Sequence, residues 1–165
     1  MAENNGAIGG SNTQSGDSAL QPQVNVLGQY IKDLSFEAPN TERFFRGPAK
    51  NPNLQLNFNV QVRNLQESAY EVALSLEGEA RSDDGVLYNI ELIYAGAFLL
   101  KNLPEEAIHP VLFIECPALL FPFARRLVAD LTREGAFPPL LLDPVDFGGL
   151  YRRRAESGQQ PAITD

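Results

Sequence analysis

Leu54-Gln55-Leu56-Asn57-Phe58-Asn59-Val60-Gln61-Val62-Arg63 alternates apolar and polar side chains without a break. A period of two puts one set on a buried face and the other in water, the pattern of a half-covered β-strand. Downstream, Tyr70, Val72, Leu74 and Leu76 repeat the pattern against Glu71, Ala73, Ser75 and Glu77. Ser82-Asp83-Asp84-Gly85 supplies a hairpin turn after that strand, with Gly85 able to take a positive φ. Upstream, Val24, Val26, Tyr30, Leu34 and Phe36 predict a first strand with a bulge near Gly28. A polar loop carrying the pair Phe44-Phe45 joins the first two strands.

Val86 to Leu100 predicts a fourth strand of a different kind. Val86, Tyr88, Ile90, Leu92, Tyr94 and Phe98 form one face, while Leu87, Ile93, Ala95, Ala97 and Leu99 make the other largely apolar too. At ~3.3 Å per residue such a strand spans about 50 Å. Helices of the same chain can cover one side, and a partner subunit is the economical cover for the other. Ile90, Leu92 and Tyr94, with Leu127 from a later helix, are therefore expected at a subunit interface.

The last third is helical. Pro104-Glu105-Glu106 has the proline and carboxylates that suit a first helical turn. Leu120, Phe123, Ala124, Leu127, Val128 and Leu131 follow helical spacing up to Gly135. Phe137 to Leu142 reads as an extended apolar connector, and Asp146 can cap a final helix through Phe147, Leu150 and Tyr151. Strands first and helices after predict an α+β fold: a four-stranded antiparallel sheet backed by helices on one face. Residues 1–22 and 155–165 have the composition of flexible polar tails, leaving one domain over 23–154.

The chain has 165 residues, 21 acidic and 13 basic side chains, a formal net charge of −8, one His, one Cys and no Trp. That acidic balance argues against a nucleic-acid binder, since neutralising phosphates takes clustered Lys and Arg. Arg152-Arg153-Arg154 is a basic run, but it falls at a helix C-terminus, where positive charge is favourable. A single cysteine excludes an internal disulfide framework and a multi-cysteine zinc site. No basic segment followed by an apolar one opens the chain, and His109, Pro110, Glu115, Pro117 and Pro122 interrupt the apolar run from Ala107 to Ala124. These features predict a soluble cytoplasmic protein with no bound metal or cofactor.

Little catalytic material remains. His109 and Cys116 would share a helix face as a nucleophile pair, but Pro110 and Pro117 are expected to break that helix. A buried small Cys and a structural His are the plainer reading. Glu105-Glu106 are ordinary helix-start carboxylates, and no phosphate loop or nucleophile elbow is present. Two features stand out instead. Asp33 and Glu37 point to one face of the first strand, and Glu91 lies on a polar face of the fourth. If those faces coincide, they form either an acidic docking surface for a cationic partner or a merely solvated sheet face. Apolar residues also gather at loops and connectors, and Phe44, Phe45, Leu54, Leu56, Phe58, Phe137, Leu140, Leu142, Phe147 and Tyr151 are expected to line a groove.

The segments Tyr30-Ile31-Lys32-Asp33-Leu34-Ser35-Phe36-Glu37-Ala38-Pro39-Asn40 and Cys116-Pro117-Ala118-Leu119-Leu120-Phe121-Pro122-Phe123-Ala124-Arg125 closely resemble the SecB protein-export chaperones. Gly135-Ala136-Phe137-Pro138-Pro139-Leu140 and Asp143-Pro144-Val145-Asp146-Phe147 extend the resemblance, which spans about residues 24–151. It implies a homotetramer built as a dimer of dimers, which binds unfolded precursor proteins in the cytosol and delivers them to the SecA motor ATPase without hydrolysing anything. Asp33, Glu37 and Glu91 fall where the family contacts SecA, whose zinc-bearing tail is basic. Asn89 stands where the resemblance implies an apolar residue, and the family's tryptophan is missing near Ala49 and Lys50. A SecB-like chaperone dedicated to one client, such as an antitoxin, is the alternative that the same motifs allow.

Overall fold

The computed structural model describes residues 21–159 and 161–165. All but the last two residues of the tail expected over 1–22 lie outside that range. The strands run where period two places them: β1 Gln23–Glu37, β2 Asn53–Gln66, β3 Ala69–Ser82 and β4 Gly85–Lys101. The turn between β3 and β4 is the expected one. Gly85 sits at φ +113°, and the Asp84 amide donates to the Ser82 hydroxyl at 3.2 Å. β1 shows register shifts between Val26 and Gly28 and between Ile31 and Asp33, the first at the predicted bulge.

Sequence order is not sheet order. β1 crosses over to pair with β4, and the spatial order is β1-β4-β3-β2-β5. The four long strands are antiparallel, as expected. The fifth is a correction to the four-stranded reading. β5 (Ile163–Thr164) pairs with β2 in parallel, Ile163 against Val62 and Thr164 against Arg63, so the sheet is mixed. It lies inside the polar stretch expected to be a tail. Ile163 packs on the core, and the Thr164 hydroxyl donates to the Val62 carbonyl at 3.2 Å.

The helices differ from expectation in continuity. A four-residue helix, α1 (Arg43–Arg46), sits in the β1–β2 loop. α2 (Glu105–Pro110), a π-helical turn (Val111–Glu115) and α3 (Cys116–Glu134) then form one unbroken 30-residue helix. Pro110 and Pro117 do not break it. The Cys116 amide reaches back to the Val111 carbonyl, an i→i−5 bond, and this widened turn lies between the two prolines, just before Pro117. By length and apolar composition alone this helix could cross a membrane. Its apolar stripe instead lies on the sheet, burying Leu112, Phe113, Cys116, Leu120, Ala124 and Val128.

α4 (Phe147–Glu156) starts as expected, with the Gly149 amide donating to the Asp146 carboxylate at 2.8 Å. α3 ends at Gly135, but the left-handed residue there is Ala136, at φ +60°. Gly135 has a different role: a Cβ on it would lie 2.6 Å from the Phe36 ring.

Helices cover one face of the sheet. Leu74, Leu76, Ile90, Leu92 and Phe98 meet Leu112, Leu120 and Val128 there, all fully buried. This corrects the interface expected from β4. Ile90 and Leu92 are 1% exposed inside a single chain, because α3 fills the place assigned to a partner. Tyr94 is also buried, stacked at 6.1 Å on Phe123 of α3, and Leu127 is half-buried. Replacing Leu120 by Ala should lower stability by ~2–5 kcal/mol, read as a reduced urea midpoint with an unchanged slope. A loss under ~1 kcal/mol would show that the helix is not seated as described.

Candidate functional site

The β1–β2 loop is held as one lip of a groove by Arg43. Its guanidinium donates to the carbonyl of Gly135 at 2.6 Å and lies 3.7 Å above the Phe137 ring and 4.5 Å from that of Phe44. Free carbonyls at a helix C-terminus carry partial negative charge, so a cation there ties loop to helix. The opposite lip is the connector after α3. Fully buried Thr132 fixes it: its hydroxyl donates to the Val128 carbonyl at 2.9 Å and accepts from the Leu140 amide at 2.9 Å.

Between these lips opens a groove of about 720 Å³ lined by Phe44, Leu54, Tyr88, Phe137 and Leu140 among others. Its floor is an aromatic cluster. Tyr88 stacks on Phe36 at 5.7 Å and meets the edge of Phe137 at 4.7 Å. A second hollow of about 460 Å³ lies beside it, lined by Leu54, Leu56, Phe58 and the run Leu140-Leu141-Leu142. Leu54 and Leu140 belong to both, so the two hollows form one apolar channel along the β2 side of the molecule.

Seven of the ten residues expected to line a groove do so here. Three behave otherwise. Phe45 is 92% exposed and lines neither hollow. Phe147 is buried in the core, at 6.1 Å from Phe121. Tyr151 stands beyond Phe58 with Phe113 and Pro161, around a small separate cleft. Arg43 and Thr132 went unnoticed in sequence, because each acts through a partner about 90 or 8 residues away that no local pattern marks.

The polar faces of β1 and β4 coincide. Ser35, between Asp33 and Glu37, is paired directly with Glu91, and Glu37 is paired with Asn89. Directly paired residues share a face, so Asp33, Glu37 and Glu91 stand together, all exposed, on the side opposite the helices. β3 enlarges the patch: Glu77 pairs with Glu91, and Glu79 with Asn89. Glu79 is held by Arg81. Like charges directly across strands destabilise a sheet, so Glu77 beside Glu91 keeps this face acidic at the expense of its own stability.

Farther along the same face the charge is neutralised. Glu71, almost buried, accepts from Tyr30 and from Lys32 at 2.5 Å, with Arg63 at 3.5 Å. Burial works to raise its pKa. The hydrogen bonds from Lys32 and Tyr30 and the charges of Lys32 and Arg63 outweigh that and hold the carboxyl below its ordinary 4.5. Burial and the same contact push the Tyr30 hydroxyl up to about 12.

His109 and Cys116 do not form a nucleophile pair. Burial, with the charge of Glu115, pushes the Cys116 thiol up to about 12, so the thiolate is disfavoured. Both nitrogens of His109 are engaged, Nε2 with the Pro161 carbonyl at 2.7 Å and Nδ1 with the Tyr151 hydroxyl at 2.8 Å.

The family described as Preprotein translocase subunit SecB matches residues 17–158. A relative from Rhodopseudomonas palustris (strain HaA2), Protein-export protein SecB, is 51% identical over 87% of this chain and 91% of its own length. Another of the same name, from Mesorhizobium japonicum, is 45% identical over 96% of this chain and 95% of its own. Among solved structures, a SecB-like chaperone of Mycobacterium tuberculosis, in complex with a peptide from an antitoxin, superposes with a TM-score of 0.60. At 19% identity over 74% of this chain and 90% of that one, it shares the fold.

A pH dependence follows from Glu71. A carboxyl whose pKa is lowered by folding adds stability that is complete above its ordinary 4.5 and is lost as pH falls through its own lower value. Glu71→Gln should be less stable than the native chain at neutral pH and should lose less on acidification below about 4.5, followed by urea midpoints across pH. Parallel acid limbs for the two proteins would contradict this account of the cluster.

Proposed function

The chain belongs to the SecB family and is a protein-export chaperone, and from that premise we propose that its apolar channel holds unfolded precursor proteins in the cytosol for delivery to the SecA motor ATPase. The observation that carries this reading is the channel itself, continuous from Phe44 and Phe137 past Leu54 and Leu140 to Phe58. An extended chain can lay alternate apolar side chains along such a floor with little demand on its sequence. Folded proteins bury these segments, so selection falls on clients that fold slowly. Holding of this kind makes and breaks no covalent bond. Each contact is weak, and a client spanning several grooves gains avidity from effective concentration.

SecA is assigned to the acidic face. Asp33, Glu37 and Glu91, reinforced by Glu77, suit a basic partner through charge complementarity. They lie on the side of the sheet opposite the helix layer, to which the channel residues Leu54 and Tyr88 point. A client and SecA could then be bound together, and transfer would not require one to compete with the other. Asn89, paired with Glu37 and Glu79, sits within this surface rather than at its margin.

A homotetramer is supported by two apolar features left uncovered within one chain. The β1 edge exposes Val26, Leu27, Ile31 and Leu34, and α3 exposes Leu119 and Phe123 beside half-buried Leu127. An edge strand and a helix stripe would provide the two different contacts that a dimer of dimers needs. At −8 per chain, the assembly would carry about −32, which keeps a surface rich in apolar patches soluble. The single-client alternative has only the shared fold of the antitoxin-bound neighbour in its favour.

The two binding surfaces should separate by mutation. Asp33→Ala with Glu37→Ala should weaken SecA binding by about tenfold, ~1.4 kcal/mol, and leave binding of an unfolded client unchanged. Phe44→Ser, at a position 64% exposed, should do the reverse. Calorimetric titration reads both, and parallel losses in either variant would refute the assignment. Light scattering should give a mass of about four times 18.1 kDa, falling to half when Phe123 and Leu127 are made Asp, whereas a stable native monomer would overturn the assembly.

A further inference from the structure

β2 is the last long strand on its side of the sheet. Among the described residues its outward edge is paired only at Val62 and Arg63, by Ile163 and Thr164. The segment that pairs there is lightly attached. It makes two register pairs, one hydroxyl contact from Thr164 to the Val62 carbonyl, and one half-buried apolar anchor, Ile163. Its neighbours Ala162, Thr164 and Asp165 are exposed.

Its root is firmer. The Pro161 carbonyl can only accept, so His109 Nε2 carries the hydrogen between them, and the other ring nitrogen faces the Tyr151 hydroxyl.

Position matters more than attachment. Phe58 lines the far end of the apolar channel and also the small cleft that holds Pro161. An extended chain lying in the channel and continuing past Phe58 arrives at the β2 edge where Ile163 and Thr164 sit. The edge already accepts a parallel strand there by backbone pairing, and backbone pairing is indifferent to sequence.

We propose that residues 161–165 form a displaceable strap: an unfolded client leaving the channel adds to the outer edge of β2 as a strand and expels β5. The proposal rests on the chaperone reading above and extends the client site from side-chain pockets to a sheet edge. In the absence of client the strap protects that edge from pairing with other molecules. It competes as an intramolecular ligand, so it lowers apparent client affinity by the fraction of time that it is seated.

Hydrogen exchange on the full chain, with and without a reduced and carboxymethylated globular protein as the unfolded client, tests this. Bound client should deprotect the amides of 163–165 while those of Val62 and Arg63 stay protected. A chain ending at Gln159, and separately Ile163→Ser in the full chain, should bind the same client about three- to tenfold more tightly. A strap that stays protected while client is bound, or variants with unchanged or weaker affinity, would overturn the strap and leave the chaperone reading intact. Absence of any client binding by the native chain would overturn both.

Discussion

Everything in this molecule depends on how closely one helix lies on the sheet. At Gly96 a Cβ would sit 2.8 Å from the Phe98 ring and 2.9 Å from Leu120. Only glycine lets Leu120 descend to the β4 backbone, and the fully buried cluster of Leu74, Leu92, Phe98 and Leu112 is built around that descent. Close packing makes such a contact intolerant of even a methyl group. The long helix must also stay continuous across Pro110, Pro117 and Pro122 to lie along the whole sheet. The π-helical turn at Val111–Glu115 is where that demand is met.

Seating a helix on one side leaves the other side of the sheet in water. Period-two strands then deliver two unlike surfaces from the same residues. Odd positions of β3 and β4 carry Glu77, Glu79, Asn89 and Glu91 outward, while even positions carry Leu76, Tyr88 and Ile90 inward. The channel arises at the margin of the covered side, where α3 has ended and the connector and the β1–β2 loop only partly close over Leu54, Leu56 and Tyr88. Arg43 and Thr132 hold those two lips to the helix end, so the apolar opening is kept open by polar contacts. Such a division suits a carrier that must hold an apolar cargo and meet a charged receptor.

How much of this was legible in the sequence follows the reach of each interaction. Four strands, the turn at Gly85, the bulge near Gly28 and the Asp146 cap were legible because each is determined within a few residues. The acidic face was half legible: alternation shows that Asp33 and Glu37 share a face, but only the β1–β4 register brings Glu91 and Glu77 to them. Ile90 and Leu92 show the limit of periodicity. It tells that a face is buried, not what buries it, and the covering helix was of the same chain. The prolines misled because the rule against them assumes α geometry throughout. β5 was invisible, since one isoleucine among polar residues has no pattern, and its partner Val62 lies about 100 residues away.

The two edges of the sheet divide along a similar line. An unpaired strand edge is a template for further pairing, and proteins blunt it, cover it or use it. The β1 edge is long, carries exposed Val26, Leu27, Ile31 and Leu34, and has no cover among the described residues. That suits a permanent partner, for which burial of many apolar side chains outweighs the loss of association entropy. The β2 edge is different. It runs beside the channel, bears Gln55, Asn57, Asn59 and Gln61 on its wet face, and is covered for two residues by the chain's own end. A cover of two residues is enough to occupy an edge and too little to hold it against a longer strand. In the proposed assembly one edge serves a contact that lasts and the other a contact that exchanges, the pair of demands placed on a chaperone that stays assembled while releasing its cargo.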